Sequence, residues 1–238
     1  MAENRSREIY DKLGIAHSDE IENIFRIYMK EILEKNRSVN LTAIEDEDEF
    51  MTKHFFDSLM CCGSAEFREA GRIIDVGTGA GFPGIPLAIA FPDKEFVLLD
   101  SLRKRVDIVR EIAEKAGIKN VTLIHGRAED AARREDMRES FDLCVSRAVA
   151  SMAVLAEYCL PFVRKGGSFI AYKGPGGEEE ARQAEKAVKI LGGRLVRAEG
   201  PVSDAFPFEH RLIYIKKERS TGSKFPRKAG TPSKDPIK

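Results

Sequence analysis

The feature that most constrains the fold is a short apolar strand that runs into an acid and then a glycine turn. Residues 72–84 read Arg-Ile-Ile-Asp-Val-Gly-Thr-Gly-Ala-Gly-Phe-Pro-Gly, so Asp75 precedes three closely spaced glycines. Without side chains, those glycines let the backbone between strand and helix lie against a ligand. The segment therefore predicts an α/β fold with a binding site where its first strand ends.

The glycine spacing and a second acid narrow the choice of ligand. The dinucleotide pattern G-x-G-x-x-G would need a glycine at the position of Phe82. Residues 95–100 are typical of the next strand, and its terminal Asp100 follows Gly81 by 19 residues, where a carboxylate can accept both hydroxyls of a ribose. The pattern resembles motif I of the class I S-adenosylmethionine-dependent methyltransferases. A glycine turn that serves packing alone is the alternative.

Beyond position 72 the chain alternates between strand and helix patterns. Near-continuous apolar strands joined by helices indicate a mostly parallel sheet covered on both faces. The segment between the last two strands is too short for a helix, so an antiparallel pair is expected there. The predicted strands are 72–76, 95–100, 121–125, 141–146, 168–172, 194–199 and 211–216, and the predicted helices are 84–91, 102–116, 151–161 and 178–191.

The two ends of the chain differ from this middle region. Residues 1–60 predict helices, because Ser18 is a good N-cap with apolar residues behind it at helical spacing, and a further helix is expected over 45–60. We expect an N-terminal helical subdomain over 1–60, a cofactor-binding domain over 61–217 and a basic tail over 218–238. The composition of the tail predicts a segment that is mobile unless a partner orders it.

Charge is distributed unevenly along the chain, although 39 basic side chains balance 39 acidic ones. Residues 1–60 carry eight Lys and Arg against fourteen Asp and Glu, whereas residues 216–238 carry eight against two. A basic end favours contact with a polyanion, because neutralising phosphates releases counterions. A solvated tail without a partner is the alternative.

Composition argues against several classes of protein. The four cysteines form no C-x-x-C pair and match no histidine spacing, which predicts free thiols in a reducing compartment and no metal site. No apolar run approaches the roughly 18 residues that a membrane span requires. We therefore expect a soluble, cytoplasmic monomer.

Further motifs produce a resemblance that covers nearly the whole chain. They lie at 40–44, 54–59, 75–86, 99–105, 126–129, 146–150, 173–174 and 225–232. Together they resemble the bacterial RsmG (GidB) family of 16S ribosomal RNA guanine-N7 methyltransferases. The resemblance implies a class I, Rossmann-like sheet of seven strands with the last antiparallel, and S-adenosyl-L-methionine as the cofactor. It also implies methylation of guanine N7 in the 530 loop of 16S ribosomal RNA, naked or in a small-subunit particle.

The resemblance also implies roles for individual residues. Those for the cofactor are Asp75 at the methionine ammonium, Gly77 and Gly79 along the methionine and ribose, Phe82 at the pocket wall, Asp100 at the ribose, and Ala128 and Glu129 at the adenine. From its position alone, Glu129 could equally be an acid that starts a helix. Arg147 leaves the carboxyl end of the fourth strand and would orient the cofactor or the target nucleotide. The residues for RNA are Asn40, Thr42, His54, Asp57, Lys173, Arg227, Lys228 and Lys234.

The implied chemistry needs no general base. Guanine N7 offers an unprotonated lone pair, so methyl transfer is an in-line displacement in which positioning supplies most of the rate. The sequence after the fourth strand, Ser146-Arg147-Ala148, lacks the D/N-P-P-Y loop typical of exocyclic-amine methylation. A target guanine would have to be splayed out and stacked, for which Phe82 or Phe206 is a candidate, with a packing role as the alternative.

Three other functions remain open from the residues. The chain could be a class I methyltransferase of another RNA or of a small molecule. It could be a nucleotide-binding module without catalysis. An oxidoreductase is the third possibility, and Phe82 at the third dinucleotide position argues against it.

Overall fold

The computed structural model describes residues 2–16, 18–147, 150–200 and 210–238, with residues 2–6 described by their backbone. Within these residues the strands β1 to β7 are Arg72–Val76, Glu95–Asp100, Val121–His125, Phe141–Arg147, Val163–Lys173, Gly193–Glu199 and Arg211–Lys217. The helices α1 to α12 are Ala2–Leu13, Asp19–Asn36, Glu47–Phe50, Asp57–Leu59, Ala65–Glu69, Gly84–Ala90, Arg103–Lys115, Ala128–Ala131, Met152–Cys159, Gly177–Gln183, Glu185–Ile190 and Thr231–Lys234. A π-helical turn spans Met51–Phe56, and 3-10 turns span Met60–Gly63 and Leu160–Phe162.

The strands of the described residues form one sheet in the order β3-β2-β1-β4-β5-β7-β6. All pairs from β3 to β5 are parallel, and β7 runs antiparallel to both of its neighbours. The predicted seven-stranded sheet with an antiparallel last strand is confirmed. The strand order reverses between β1 and β4, which is where open α/β sheets bind their ligands.

The central strands are buried on both faces, as their continuous apolar sequence predicted. Ile73 belongs to a core cluster with the N-terminal helices, and the next residue, Ile74, belongs to a second cluster with α9 and α11 on the opposite face. This follows from the period of two along a strand. β5 is longer than the predicted 168–172, because Val163 pairs with Phe141 before the register shifts.

The N-terminal helices pack directly against the sheet and its glycine turn. Ser18 caps α2 as predicted, accepting the Ile21 N–H at 3.1 Å. From α2, the Tyr28 hydroxyl donates to the Ala80 carbonyl in the turn at 2.7 Å. The single helix expected over 45–60 is instead broken into α3, the π-helical turn and α4. A π turn adds one residue to a helical turn and is frequent at functional sites.

The C-terminal tail lies against the body of the protein, in contrast to the predicted mobile segment. Phe225 is buried in the second core cluster. The Arg138 guanidinium donates to the carbonyls of Thr221 at 2.7 Å and Phe225 at 3.0 Å. Composition alone did not reveal this, because the groups that hold the tail lie about 70 to 90 residues earlier in the chain.

The described residues show neither a membrane-spanning helix nor a metal-binding cluster, and their cysteines are not paired. None of the described helices is long and apolar enough to cross a membrane. The same ranges contain no group of three or more His, Cys, Asp or Glu side chains placed to hold a metal ion. The four cysteines are free and buried.

Candidate functional site

A cavity of about 530 Å³ opens at the carboxyl edge of the sheet, where β1, β2 and β4 end. This volume lies within the range of small-molecule sites. All the predicted cofactor residues except Asp75 line it: Gly77, Gly79, Phe82, Asp100, Ala128, Glu129 and Arg147. His54 from the predicted RNA set lines it too. The cavity therefore brings together residues that are widely spaced in the sequence.

Two glycines of the turn serve different purposes. Gly79 has a φ of +61°, and a Cβ added there would meet nothing within 4 Å, so it borders open space. Gly81 has a φ of +93°, and a Cβ there would lie 2.4 Å from the Tyr28 hydroxyl and 2.7 Å from Ile85 Cγ1. Gly79 thus leaves room for a ligand, whereas Gly81 serves packing against α2 and α6.

Asp100 fastens the glycine turn to the end of β2. Its carboxylate accepts the Gly79 N–H at 2.9 Å and the Leu102 N–H at 2.8 Å, and the residue is 7% exposed. Sequence reasoning assigned Asp100 to a ligand and missed this structural role. Each carboxylate oxygen has a second lone pair, so the side chain can still accept hydroxyls from a ribose.

Asp75 directly precedes Val76 and Gly77, which line the cavity, and is itself fully buried. Its Oδ2 accepts the Gly84 N–H at 2.9 Å, whereas its Oδ1 has no hydrogen bond of good geometry, although the nearby Thr78 hydroxyl interacts with the carboxyl group and lowers its pKa. Among the described residues, this oxygen and Thr78 Oγ1 are the buried side-chain polar atoms without a hydrogen bond. Burial raises the pKa of Asp75 to about 6. A buried acceptor without a donor costs about 1–3 kcal/mol, so the site fits a ligand that carries a cationic donor such as an ammonium.

Arg147 is held at the cavity wall by the N-terminal segment. Its guanidinium donates to Asp57 Oδ2 at 2.6 Å and to His54 Nδ1 at 3.2 Å. Asp57 is fully buried, and its other oxygen lies 2.5 Å from His210 Nδ1. Asp57, predicted to contact RNA, is thus paired within the protein with Arg147 and His210. An arginine held by these contacts has a defined orientation toward the cavity.

The hydrogen bonds of His54 determine which ring nitrogen carries the proton. An arginine only donates, so His54 Nδ1 accepts and Nε2 carries the hydrogen. That Nε2–H donates to Thr42 Oγ1 at 2.6 Å, and the same oxygen accepts the Ile44 N–H at 3.1 Å. Burial and then the charge of Arg147 lower the pKa of His54 to about 4. The ring is therefore neutral at pH 7, and the Thr42 hydroxyl has its proton left to donate.

Phe82 is covered on one ring face. The His54 ring stacks on it with centroids 4.4 Å apart and planes 8° apart, and the Arg147 guanidinium carbon lies 5.2 Å from its centroid. Phe82 is only 5% exposed. A guanine therefore has little of this ring to stack on, which favours the packing alternative for Phe82. Phe206, the other suggested stacking residue, lies outside the described residues.

The remaining predicted RNA residues fall into two groups. Lys173 is 13% exposed, pairs with Glu180 at 2.8 Å and donates to the Ala150 carbonyl at 2.9 Å. Arg227 donates to the buried carboxylate of Glu157 on α9. Both cationic side chains therefore bind groups of the protein itself. In contrast, Asn40, Lys228 and Lys234 are exposed.

Glu129 is the second residue of α8, after Ala128, and is 3% exposed. Its Oε1 accepts the Gly230 N–H from the tail at 2.7 Å. Tyr158 and Ser233 line the cavity, which sequence reasoning missed. The one sequence signal for either residue is that Ser233 directly follows the motif at 225–232.

Comparison with known proteins identifies relatives that match most of the chain. Residues 21–202 match the family model described as rRNA small subunit methyltransferase G. A ribosomal RNA small subunit methyltransferase G from Alkaliphilus oremlandii is 52% identical over 89% of this chain and 88% of its own. One from Clostridium botulinum strain Eklund 17B is 48% identical over 95% of each chain.

Solved structures share the fold at low sequence identity. An O-methyltransferase from Bacillus cereus in complex with SAH has a TM-score of 0.57 and 20% identity, covering 80% of this chain and 90% of its own. Cofactor-bound Rv0187 from MTB has a TM-score of 0.55 and 17% identity, covering 85% and 92%. The fold of this chain is that of class I methyltransferases.

Proposed function

The chain belongs to the rRNA small subunit methyltransferase G family, and from this premise we propose that it methylates guanine N7 in the 530 loop of 16S ribosomal RNA. S-adenosyl-L-methionine is the methyl donor. The observation that carries the proposal is the cavity at the switch point of the sheet, with a buried carboxylate oxygen that lacks a hydrogen bond of good geometry next to its lining residues and a fixed arginine at its wall.

We assign the floor of the cavity to the cofactor. Asp75, whose Oδ1 has no hydrogen bond of good geometry, would receive the methionine ammonium, and Asp100 would accept the ribose hydroxyls. Gly77 and Gly79 would leave the backbone open to the methionine and ribose. At the far end Ala128 and Glu129 would contact the adenine, and Phe82 would form the opposite wall. The buried, partly unsatisfied floor supports this assignment.

The reaction needs positioning rather than proton transfer. When bound, the cofactor supplies a methyl group on a positively charged sulfur, which a lone pair can displace. Guanine N7 presents such a lone pair, so no side chain has to remove a proton first. Consistent with this, His54 is neutral with its free lone pair already bound by Arg147, and the two oxygens of Asp57 already contact Arg147 and His210. Arg147 and Thr42 would orient the target base instead.

The direction of the hydrogen bonds supports a specific role for Thr42. Its oxygen already accepts from His54 and from the Ile44 N–H, so its hydroxyl can only donate to a further group. Guanine carries the acceptor O6 beside N7. A donor to O6 would leave the N7 lone pair free for the methyl group. For the rest of the RNA we propose contacts by the exposed Asn40, Lys228 and Lys234.

The test uses unmodified 16S RNA and small-subunit particles, each incubated with the methyl-labelled cofactor and digested to nucleosides. We expect the label in 7-methylguanosine. RNA with 7-deazaguanine at the target position should accept no label, because it has no N7 lone pair. Gly79→Val is the inactive control, since its side chain would enter the cavity and a β-branched residue is strained at a φ of +61°. Label in another nucleoside, or none with either substrate, would contradict the proposal.

A further inference from the structure

The tail contacts the cavity at the end where Glu129 lies, and we propose that residues 230–234 are a wall of the cofactor site. In this view the tail is part of the small-molecule site, with Ser233 beside the adenosine end of the cofactor. The identity of the ligand rests on the proposed function. The location of the wall rests on the contacts of the tail with α8 and α9.

The tail is anchored next to the cavity by a buried ion pair. Glu157 on α9 has a side chain that is 1% exposed. One of its oxygens accepts the backbone N–H of Arg227 at 2.7 Å, and the Arg227 guanidinium donates to both oxygens at 2.7–3.1 Å. Bidentate contact between arginine and a carboxylate fixes geometry as well as adding energy. Arg133 also donates to the Pro226 carbonyl. The chain therefore leaves this point in a set direction.

From the anchor, the chain turns toward Glu129. Gly230 has a φ of +81°, a conformation that glycine adopts without strain, and its N–H points at Glu129 Oε1 at 2.7 Å. This bond orients the carboxylate that we assign to the adenine. A side chain held in one orientation loses less entropy when a ligand binds. The tail thus prepares the acid for the ligand.

The turn ends with a side chain at the cavity. Ser233 lies on α12, and it lines the same cavity as Tyr158 on α9 and Glu129 on α8. Three separate segments thus surround one end of the cavity, and the tail is one of them. A tail that served only to attract RNA phosphates would not need to contribute a side chain there.

The experiment measures S-adenosylhomocysteine binding by calorimetry in three variants of the full protein. A chain ending at Lys228 lacks the wall but keeps the Arg227 anchor. Ser233→Phe places a large side chain at the wall, and Ser223→Phe makes the same change at an exposed tail position outside the cavity. We expect about tenfold weaker binding for the first two variants and unchanged binding for Ser223→Phe. Thermal unfolding of each variant checks that the fold is retained.

The outcomes separate this inference from the proposed function. Ligand binding within twofold of the full chain for both Ser233→Phe and the shortened chain would overturn the inference, even if RNA affinity fell. If the shortened chain does not fold, Ser233→Phe decides alone. Failure of the unaltered protein to bind S-adenosylhomocysteine would instead overturn the proposed function.

Discussion

Each of the two sides of the cavity contains a buried carboxylate that binds an arginine, but the two arginines have different roles. On the N-terminal flank, comprising Thr42, His54, Asp57 and Arg147, a fully buried aspartate holds an arginine from 90 residues further along the chain. On the C-terminal flank, comprising Glu157, Arg227, Gly230 and Ser233, a buried glutamate holds an arginine 70 residues further along. Each pair therefore joins segments that are separated by several strands of the sheet.

The difference lies in where the arginine points. The Arg147 side chain is 11% exposed and lines the cavity, whereas that of Arg227 is 25% exposed and contacts Glu157 and Asp235 without lining the cavity. A buried ion pair can thus present a functional group or merely anchor a segment. Equivalent substitutions on the two flanks should therefore damage different properties of the enzyme.

The largest effect is expected from Asp57→Asn on the N-terminal flank. Removing the charge leaves Arg147 without its buried partner, which should lower the free energy of unfolding by about 3 kcal/mol. The misplaced guanidinium should reduce kcat by about 100-fold at saturating cofactor and RNA. Chemical unfolding and single-turnover methylation measure the two losses. A variant that is destabilised but has a normal kcat would show that the N-terminal flank only anchors a segment, as the C-terminal flank does.

Glu157→Gln on the C-terminal flank should have a smaller and different effect. The loss of a charged hydrogen-bond acceptor should lower the free energy of unfolding by about 2 kcal/mol. S-adenosylhomocysteine should bind more weakly, because the tail loses its anchor, yet kcat at saturating cofactor should stay within twofold of normal. A large drop in kcat at saturating cofactor would show that the C-terminal flank also positions groups for the reaction, as the N-terminal flank does.

The pH dependence of stability should separate the N-terminal flank from the cavity floor. Folding lowers the pKa of His54 from 6.5 to about 4, so the unfolded chain binds more protons between these values and stability rises with pH there. Folding raises the pKa of Asp75 from 3.8 to about 6, so the folded protein binds more protons and stability falls with rising pH over nearly the same range. In the unaltered protein the two slopes oppose each other.

Single substitutions should reveal these slopes one at a time. His54→Gln should lose stability as the pH rises from 4 to 6, and Asp75→Asn should gain it, each by up to about 1.4 kcal/mol per pH unit. Ser233→Phe on the C-terminal flank should leave the pH profile unchanged. Urea unfolding at several pH values measures all three. Slopes of the same sign in the first two variants would contradict the assigned protonation states.

The smallest effect concerns the exposed lysines of the tail. Replacing Lys228 or Lys234 by Gln should reduce the slope of log affinity against log salt for 16S RNA by about 0.7 to 0.9 each, because one phosphate contact is lost. Lys173→Gln is the matched control, since Lys173 is paired with Glu180 and should leave the slope unchanged. An equal change in all three would mean that the ion pair opens for RNA.

The sheet and the cavity floor could be predicted from the sequence because their signals are local. The apolar run and the glycine turn at 72–84 indicated β1 with the bounds observed, and Asp100 ends β2 where expected. Each signal extends over a few consecutive residues, whose burial follows from their own pattern.

The two flanks could not be predicted in the same way. The pairing of Asp57 with Arg147, and that of Glu157 with Arg227, depends on how distant segments meet, and charge patterns do not record this. The sequence therefore assigned Arg227 to RNA, whereas the structure uses it to hold the tail. Likewise, no local pattern showed that Tyr158 and Ser233 meet at the cavity.

The hydrogen bond from Gly230 to Glu129 has a consequence for when the enzyme matures. A ribosome makes the chain from its amino end, so the glycine turn and the sheet emerge well before residues 230–234. Glu129 acquires its backbone donor only once residue 230 has been made and has folded back against α8. A copy synthesised only as far as the sheet would lack this contact, so its Glu129 carboxylate would be less well oriented for a ligand.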